Sequence, residues 1–109
     1  MVIMMKIYTH YTIDEAKTRV IDAIASLNAK LYCLRTVFEV KQAIEIGEAY
    51  IDAVSAITAE TNKAEREYIY FQIAKLCTTY DYIFRRYLNA DDSIALNLYM
   101  GNELLLDAI

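Results

Sequence analysis

An all-α bundle of four to five helices is the fold class this chain predicts, and three observations carry the prediction. The 109 residues contain no Pro and only two Gly, so little breaks a helix and little supports tight turns. Over 62–88 the apolar residues Ile69, Ile73, Leu76, Tyr80, Ile83 and Tyr87 recur at alternating steps of four and three, which puts them on one helical face. A second register of this kind runs through Ile13, Val20, Ile24, Leu27, Leu31, Leu34 and Phe38. Two long central helices follow, about 13–46 and 62–88, in a single helical domain spanning 1–109, because a chain this short builds one modest core.

Residues 1–11, MVIMMKIYTHY, precede the first helix signal and read as a short N-terminal arm, either extended or a brief strand. His10 is the only His. No catalytic partner lies beside it in sequence, so a solvated or hydrogen-bonded role outweighs an acid–base or pH-sensing one.

Thr12 with Glu15 forms a capping-box pattern, and Asp14 adds negative charge to the first turn. The helix that starts there is expected to reach about Ile46, unbroken or bent near Asn28, since β-branched Thr36 and Val37 lower helix propensity further on. Gly47 sits where a left-handed residue would close the helix, so the chain is expected to break there. Glu48 to Ala59 then makes a shorter helix with Ile51, Val54 and Thr58 inward, followed by the loop-like TAETN over 58–62.

The long helix over 62–88 opens with Asn62 and Glu65 in a capping-box arrangement and closes with Arg85 and Arg86, which complement the negative end of the helix dipole. A second seam, Tyr70, Ala74, Cys77, Phe84 and Leu88, widens the apolar stripe beyond what a two-stranded coiled coil needs. Several neighbours are therefore expected around it. A last helix is read as Ser93–Met100, capped by Asp91 or Asp92 and stopped by Gly101. The Leu-rich tail NELLLDAI is too apolar to stay in water, and folding back on the bundle is favoured over docking on another molecule.

Composition narrows function more by exclusion than by assignment. The hydrophobic share of 57% is inflated by ten Tyr, a residue that combines apolar area with a hydroxyl and suits core margins and interfaces. A net charge of −4 argues against general phosphate-backbone binding. No segment is apolar enough for a membrane span, and the N-terminus lacks a signal-peptide core, so a cytoplasmic protein is expected. Cys33 and Cys77 lie far apart without CxxC spacing and beside apolar seams, a pattern of two inert thiols. The carboxylate pairs Asp91/Asp92 and Glu45/Glu48 lack the ExxH companion of a bundle metal site. No catalytic residue, metal site or cofactor is assigned, and an enzyme is the weakest option.

What remains is surface. On the long helix the face opposite the core runs Tyr68, Gln72, Lys75, Thr79, Tyr82 and Arg86, and Tyr and Arg are the types enriched at interface hot spots. On the first helix the outer face reads Glu15, Thr18, Asp22, Ala25, Ala29, Tyr32 and Thr36, small enough in its middle for another helix to approach. The expected function is a protein-binding module, an inhibitor or adaptor that occludes a basic surface of its partner. Tyr68, Tyr82 and Arg86 are the expected contacts, Tyr32 comes second, and a homodimer is expected. The alternatives are a small nucleic-acid regulator using Lys75, Arg85 and Arg86, and a bundle that holds a small ligand between its helices.

Overall fold

The computed structural model describes residues 12–90 and 94–107; the arm over 1–11 with His10, the cap candidates Asp91 and Asp92, the expected first helical residue Ser93, and the last two residues lie outside these. The described residues form four α-helices: α1 (Ile13–Leu31), α2 (Phe38–Ser55), α3 (Lys63–Leu88) and α4 (Leu96–Asp107), with a 3-10 turn at Tyr32–Leu34. No strand occurs among them. Helix α1 packs on α2 and α4, and α3 packs on the same two, so α1 and α3 occupy opposite corners of a four-helix bundle.

Side-chain contacts fix the directions. Lys17 near the start of α1 donates to the carbonyls of Ser55 and Ile57 at the end of α2, at 2.8 and 2.7 Å. Tyr87 late in α3 donates to Glu39 early in α2 at 3.0 Å. Arg66 early in α3 donates to the carbonyls of Leu105 and Leu106 late in α4, both at 3.1 Å. Each neighbouring pair therefore runs antiparallel, the up-down-up-down arrangement that short connections impose.

The helix starts follow their sequence signals. The Glu15 N–H donates to Thr12 Oγ1 at 3.1 Å, and the Thr12 N–H returns a longer bond to Glu15 Oε1 at 3.5 Å. At α3 the Glu65 N–H donates to Asn62 Oδ1 at 2.8 Å, but the Glu65 carboxylate accepts from the Asn62 amide rather than from its backbone. The side-chain bond itself is common to both caps, since the Thr12 hydroxyl also donates to Glu15 Oε1 at 3.0 Å; what the Asn62 cap lacks is the backbone bond. Helix α3 ends on Asn89, the one positive-φ non-Gly residue among the described residues at φ 51, a conformation Asn tolerates.

Two expected boundaries are corrected. The 13–46 helix is neither continuous nor bent near Asn28: it ends at Leu31, turns through 3-10 geometry, and restarts after Val37, which is extended at ψ 125. The interruption falls at the β-branched pair Thr36–Val37, and it lets Phe38 leave the core register and stand 70% exposed. Gly47 does not break the chain. It is a buried interior residue of α2, where the missing Cβ makes room for a neighbour, so the expected Glu48–Ala59 helix is the second half of α2. Thr58, expected inward, lies exposed in the following loop, where its hydroxyl accepts from the Glu60 N–H at 3.2 Å.

The last helix is also displaced, to Leu96–Asp107, and runs through Gly101. A Cβ at 101 would meet Val20 and the Arg19 backbone at 3.3 to 3.4 Å, so this glycine serves close packing of α4 on α1. The Leu-rich tail folds back within α4: Leu105 is buried and Leu104 and Leu106 are half-buried. Asn102, buried beside them, donates to the Tyr70 carbonyl at 2.9 Å.

The core gathers Val20, Ile24, Leu27 and Leu31 of α1, Val40 and Val54 of α2, Ile73, Leu76, Tyr80, Ile83 and Phe84 of α3, and Leu98 and Leu105 of α4. All four helices contribute because each carries one apolar stripe that water disfavours, and a square of helices buries all four at once.

Candidate functional site

Helix α3 presents its outer face at a corner of the bundle, where none of the described helices packs against it. Ala64, Tyr68, Phe71, Lys75, Thr78, Tyr82 and Arg85 are all exposed and follow one another at steps of four and three. At about 100° per residue this stripe lies opposite the core stripe through Ile73 and Tyr80. Tyr68 is 65%, Phe71 59% and Tyr82 50% exposed, and 14 residues separate the two tyrosines, about 21 Å along the axis. Three aromatics held this way on a regular helix leave apolar area in water that a solitary domain gains nothing by exposing.

Of the residues the sequence singles out, Tyr68, Tyr82 and Arg86 do share this face. Arg86 Nη1 donates to the Tyr82 hydroxyl at 3.3 Å, and its guanidinium lies 5.6 Å from the centre of the Tyr87 ring. Gln72 and Thr79, expected on the same face, are half-buried, because the outer face is rotated toward Phe71 and Thr78. Gln72 instead accepts from the Tyr50 hydroxyl of α2 at 3.1 Å. Phe71 is the residue that sequence reasoning missed. Its position at the 4-3 spacing between Tyr68 and Lys75 was the available signal, since it belongs to neither apolar seam.

Tyr32 does not join them. It stands 58% exposed where α1 passes into the 3-10 turn, and its ring is covered by Arg35, whose Cζ sits 4.1 Å from the ring centre. Since α1 and α3 occupy opposite corners, Tyr32 belongs to a second surface. This is an open groove of about 350 Å³ between α1 and α2, lined by Ala25, Asn28, Ala29, Tyr32, Arg35, Lys41, Ile44, Glu45 and Glu48. The outer face expected for α1 is exposed throughout, from Glu15 to Thr36, and its small residues Ala25 and Ala29 form one groove wall. Asn28 anchors the floor by donating to the Ile44 carbonyl at 3.2 Å.

The thiols differ from each other. Cys77 is buried, and burial first, then the nearby charge of Asp81, pushes its thiol up to about 12; at neutral pH it is no nucleophile. Cys33 is exposed in the 3-10 turn rather than set beside an apolar seam. Among the described residues no group of three or more His, Cys, Asp and Glu is placed to hold a metal ion. No helix among them is long and apolar enough to cross a membrane.

Compared with protein-family models, with curated proteins and with solved structures, the chain matches none.

Proposed function

We propose that this chain is a protein-binding module, an inhibitor or adaptor that acts by laying the outer face of α3 over a functional surface of a partner protein. The observation that supports this reading is the exposed aromatic stripe of Tyr68, Phe71 and Tyr82, bordered by Arg86. Aromatic and Arg side chains dominate binding energy when they are desolvated at the centre of an interface. A rigid helix also holds them with little ordering cost on association. With a net charge of −4, encounter is steered toward a basic partner surface. The unpaired thiols Cys33 and Cys77 suit a reducing, cytoplasmic setting.

The test compares capture of partner proteins by the wild type and by the Tyr68→Ser, Tyr82→Ser double variant, with circular dichroism confirming that both are equally helical. A stoichiometric partner held by the wild type and lost by the variant is the expected result. Undiminished capture by the folded variant removes the α3 face from consideration.

The α1–α2 groove supports a second reading, a bundle that holds a small ligand. Its volume of about 350 Å³ falls within the range of small-molecule sites, and it places Glu45, Glu48, Lys41 and Asn28 around apolar Ile44 and Ala29. Thermal stabilisation by members of a metabolite panel, abolished by Ala29→Trp, favours this reading over protein docking.

A further inference from the structure

We infer that, in the absence of another protein, the outer face of α3 is occupied by a second copy of this chain, the two α3 helices pairing antiparallel about a two-fold axis. The inference rests on reading that face as a docking surface and names its occupant. The exposed positions on α3 repeat at the 4-3 spacing of a coiled-coil seam, on the side away from the helix's own core. In an antiparallel pair the two kinds of seam position face each other. One register then matches the stripe from Tyr68 to Arg85: Tyr68 meets Arg85 of the second copy, Phe71 meets Tyr82, and Lys75 meets Thr78, each contact made twice.

Charge selects this arrangement. At the flank of the seam the same register brings Glu65 against Arg86 of the second copy, again twice, and both are exposed. A parallel pair would instead set Arg85 against Arg85 and hold Glu65 about 31 Å from Arg86, whereas Lys75 comes near its own copy in either orientation, about 4.5 Å away along the axis in the antiparallel one. Like charges facing each other at a helix interface oppose association. Aromatic contact between Phe71 and Tyr82, and Arg85 stacked on Tyr68, supply the attraction at the centre.

The strip is short. From Ala64 to Arg85 it runs about 31 Å, and a helix is about 10 Å wide, which is less than the ~800 Å² per partner of a standard stable interface. The dimer is therefore a concentration-dependent one that a better-fitting partner on the same face displaces.

Sedimentation velocity at low salt, from about 5 to about 500 µM full-length chain, tests the inference. The wild type is expected to pass from monomer to dimer. Glu65→Arg and Arg86→Glu are each expected to weaken dimerisation about tenfold, and an equimolar mixture of the two to regain it, because opposite charges face each other again only between unlike chains. Phe71→Ser, at an exposed position that leaves the bundle intact, is expected to abolish it. A wild type that stays monomeric throughout overturns the inference, as does a dimer indifferent to all three substitutions. Monomeric wild type that still captures a partner through Tyr68 and Tyr82 would leave the docking reading standing and discard only the second copy as occupant.

Discussion

The Tyr80 hydroxyl of α3 donates to Asn28 Oδ1 of α1 at 2.6 Å, joining two helices that sit at opposite corners of the bundle. Tyr80 is fully buried, and Asn28 passes the link on by donating to the Ile44 carbonyl of α2 at 3.2 Å. A phenol in a core of Ile, Leu and Val is stable only with such a partner. Replacing Tyr80 by Phe keeps the ring and leaves Asn28 Oδ1 without its donor, for which we expect a loss of about 1–3 kcal/mol in unfolding free energy. Urea denaturation of the variant measures it, and a midpoint equal to that of the wild type would show that water replaces the hydroxyl.

The two glycines are expected to answer Ala substitution differently. A Cβ at 47 would collide with the Tyr80 hydroxyl and lie 2.8 Å from Asn28 Nδ2. Both are held by the bond just described, so neither yields cheaply. Although Ala gains about 1 kcal/mol of helix propensity over Gly, overpacking of this kind costs about 1–3 kcal/mol, and Gly47→Ala is expected to lower the melting temperature. At Gly101 the nearest contacts are 3.3 Å, and propensity offsets a small shift. Gly101→Ala is expected to melt within a few degrees of the wild type.

Lys17 closes the C-terminal end of α2 through two carbonyls, those of Ser55 and Ile57, which no helical N–H can reach. Lys17→Met retains most of the stem and removes the donor, so the loss reports the bonds alone, about 1–2 kcal/mol. Lys75→Met, on the exposed stripe, is the control and is expected to change stability by less than about 0.5 kcal/mol. Equal effects at the two sites would refute the capping role.

Alkaline pH is expected to destabilise the fold through Cys77 and Tyr80. Burial is the largest cause of a raised pKa in both: it lifts the Cys77 thiol to about 12 and the Tyr80 phenol further above its ordinary value of 10.0. Both are neutral in the fold and ionise more readily once the chain opens, at about 8.5 and about 10. Unfolding then releases protons, so the stabilising contribution is whole below about pH 8 and declines as pH rises toward the folded values. Urea midpoints between pH 7 and pH 11 are expected to fall, and less steeply in Cys77→Ala. In the same range Cys33 is expected to react with a thiol reagent in the native protein, and Cys77 only after denaturant is added. Rapid labelling of two thiols in the native state would contradict the burial of Cys77.

Helix identity was legible in the sequence wherever a stripe was long and its cap explicit. Thr12–Glu15 and Asn62–Glu65 marked the starts of α1 and α3, and the apolar register through Ile73, Leu76, Tyr80 and Ile83 marked the buried face of α3. These are local properties: a cap satisfies N–H groups within a few residues, and a 3.6-residue period defines a face whatever it packs against. The outer positions Tyr68, Tyr82 and Arg86 followed from the same period.

Tertiary structure decided what depends on neighbours distant in the chain. Gly47 and Gly101 carry the sequence signal of helix ends, yet each lies inside a helix because Tyr80 or Val20 needs the space a side chain would fill, and close packing offsets the propensity lost. The interruption at Thr36 and Val37 divided an unbroken-looking register because α1 and α2 bury more by folding back on each other than by continuing as one rod. Phe71 fell in neither the apolar seams nor the outer face read from the sequence, and the packing of α3 between α2 and α4 is what sets it outward with Tyr68 and Tyr82. Tyr32 was separated from them for the same reason, since helices at opposite corners of a four-helix bundle cannot present one surface.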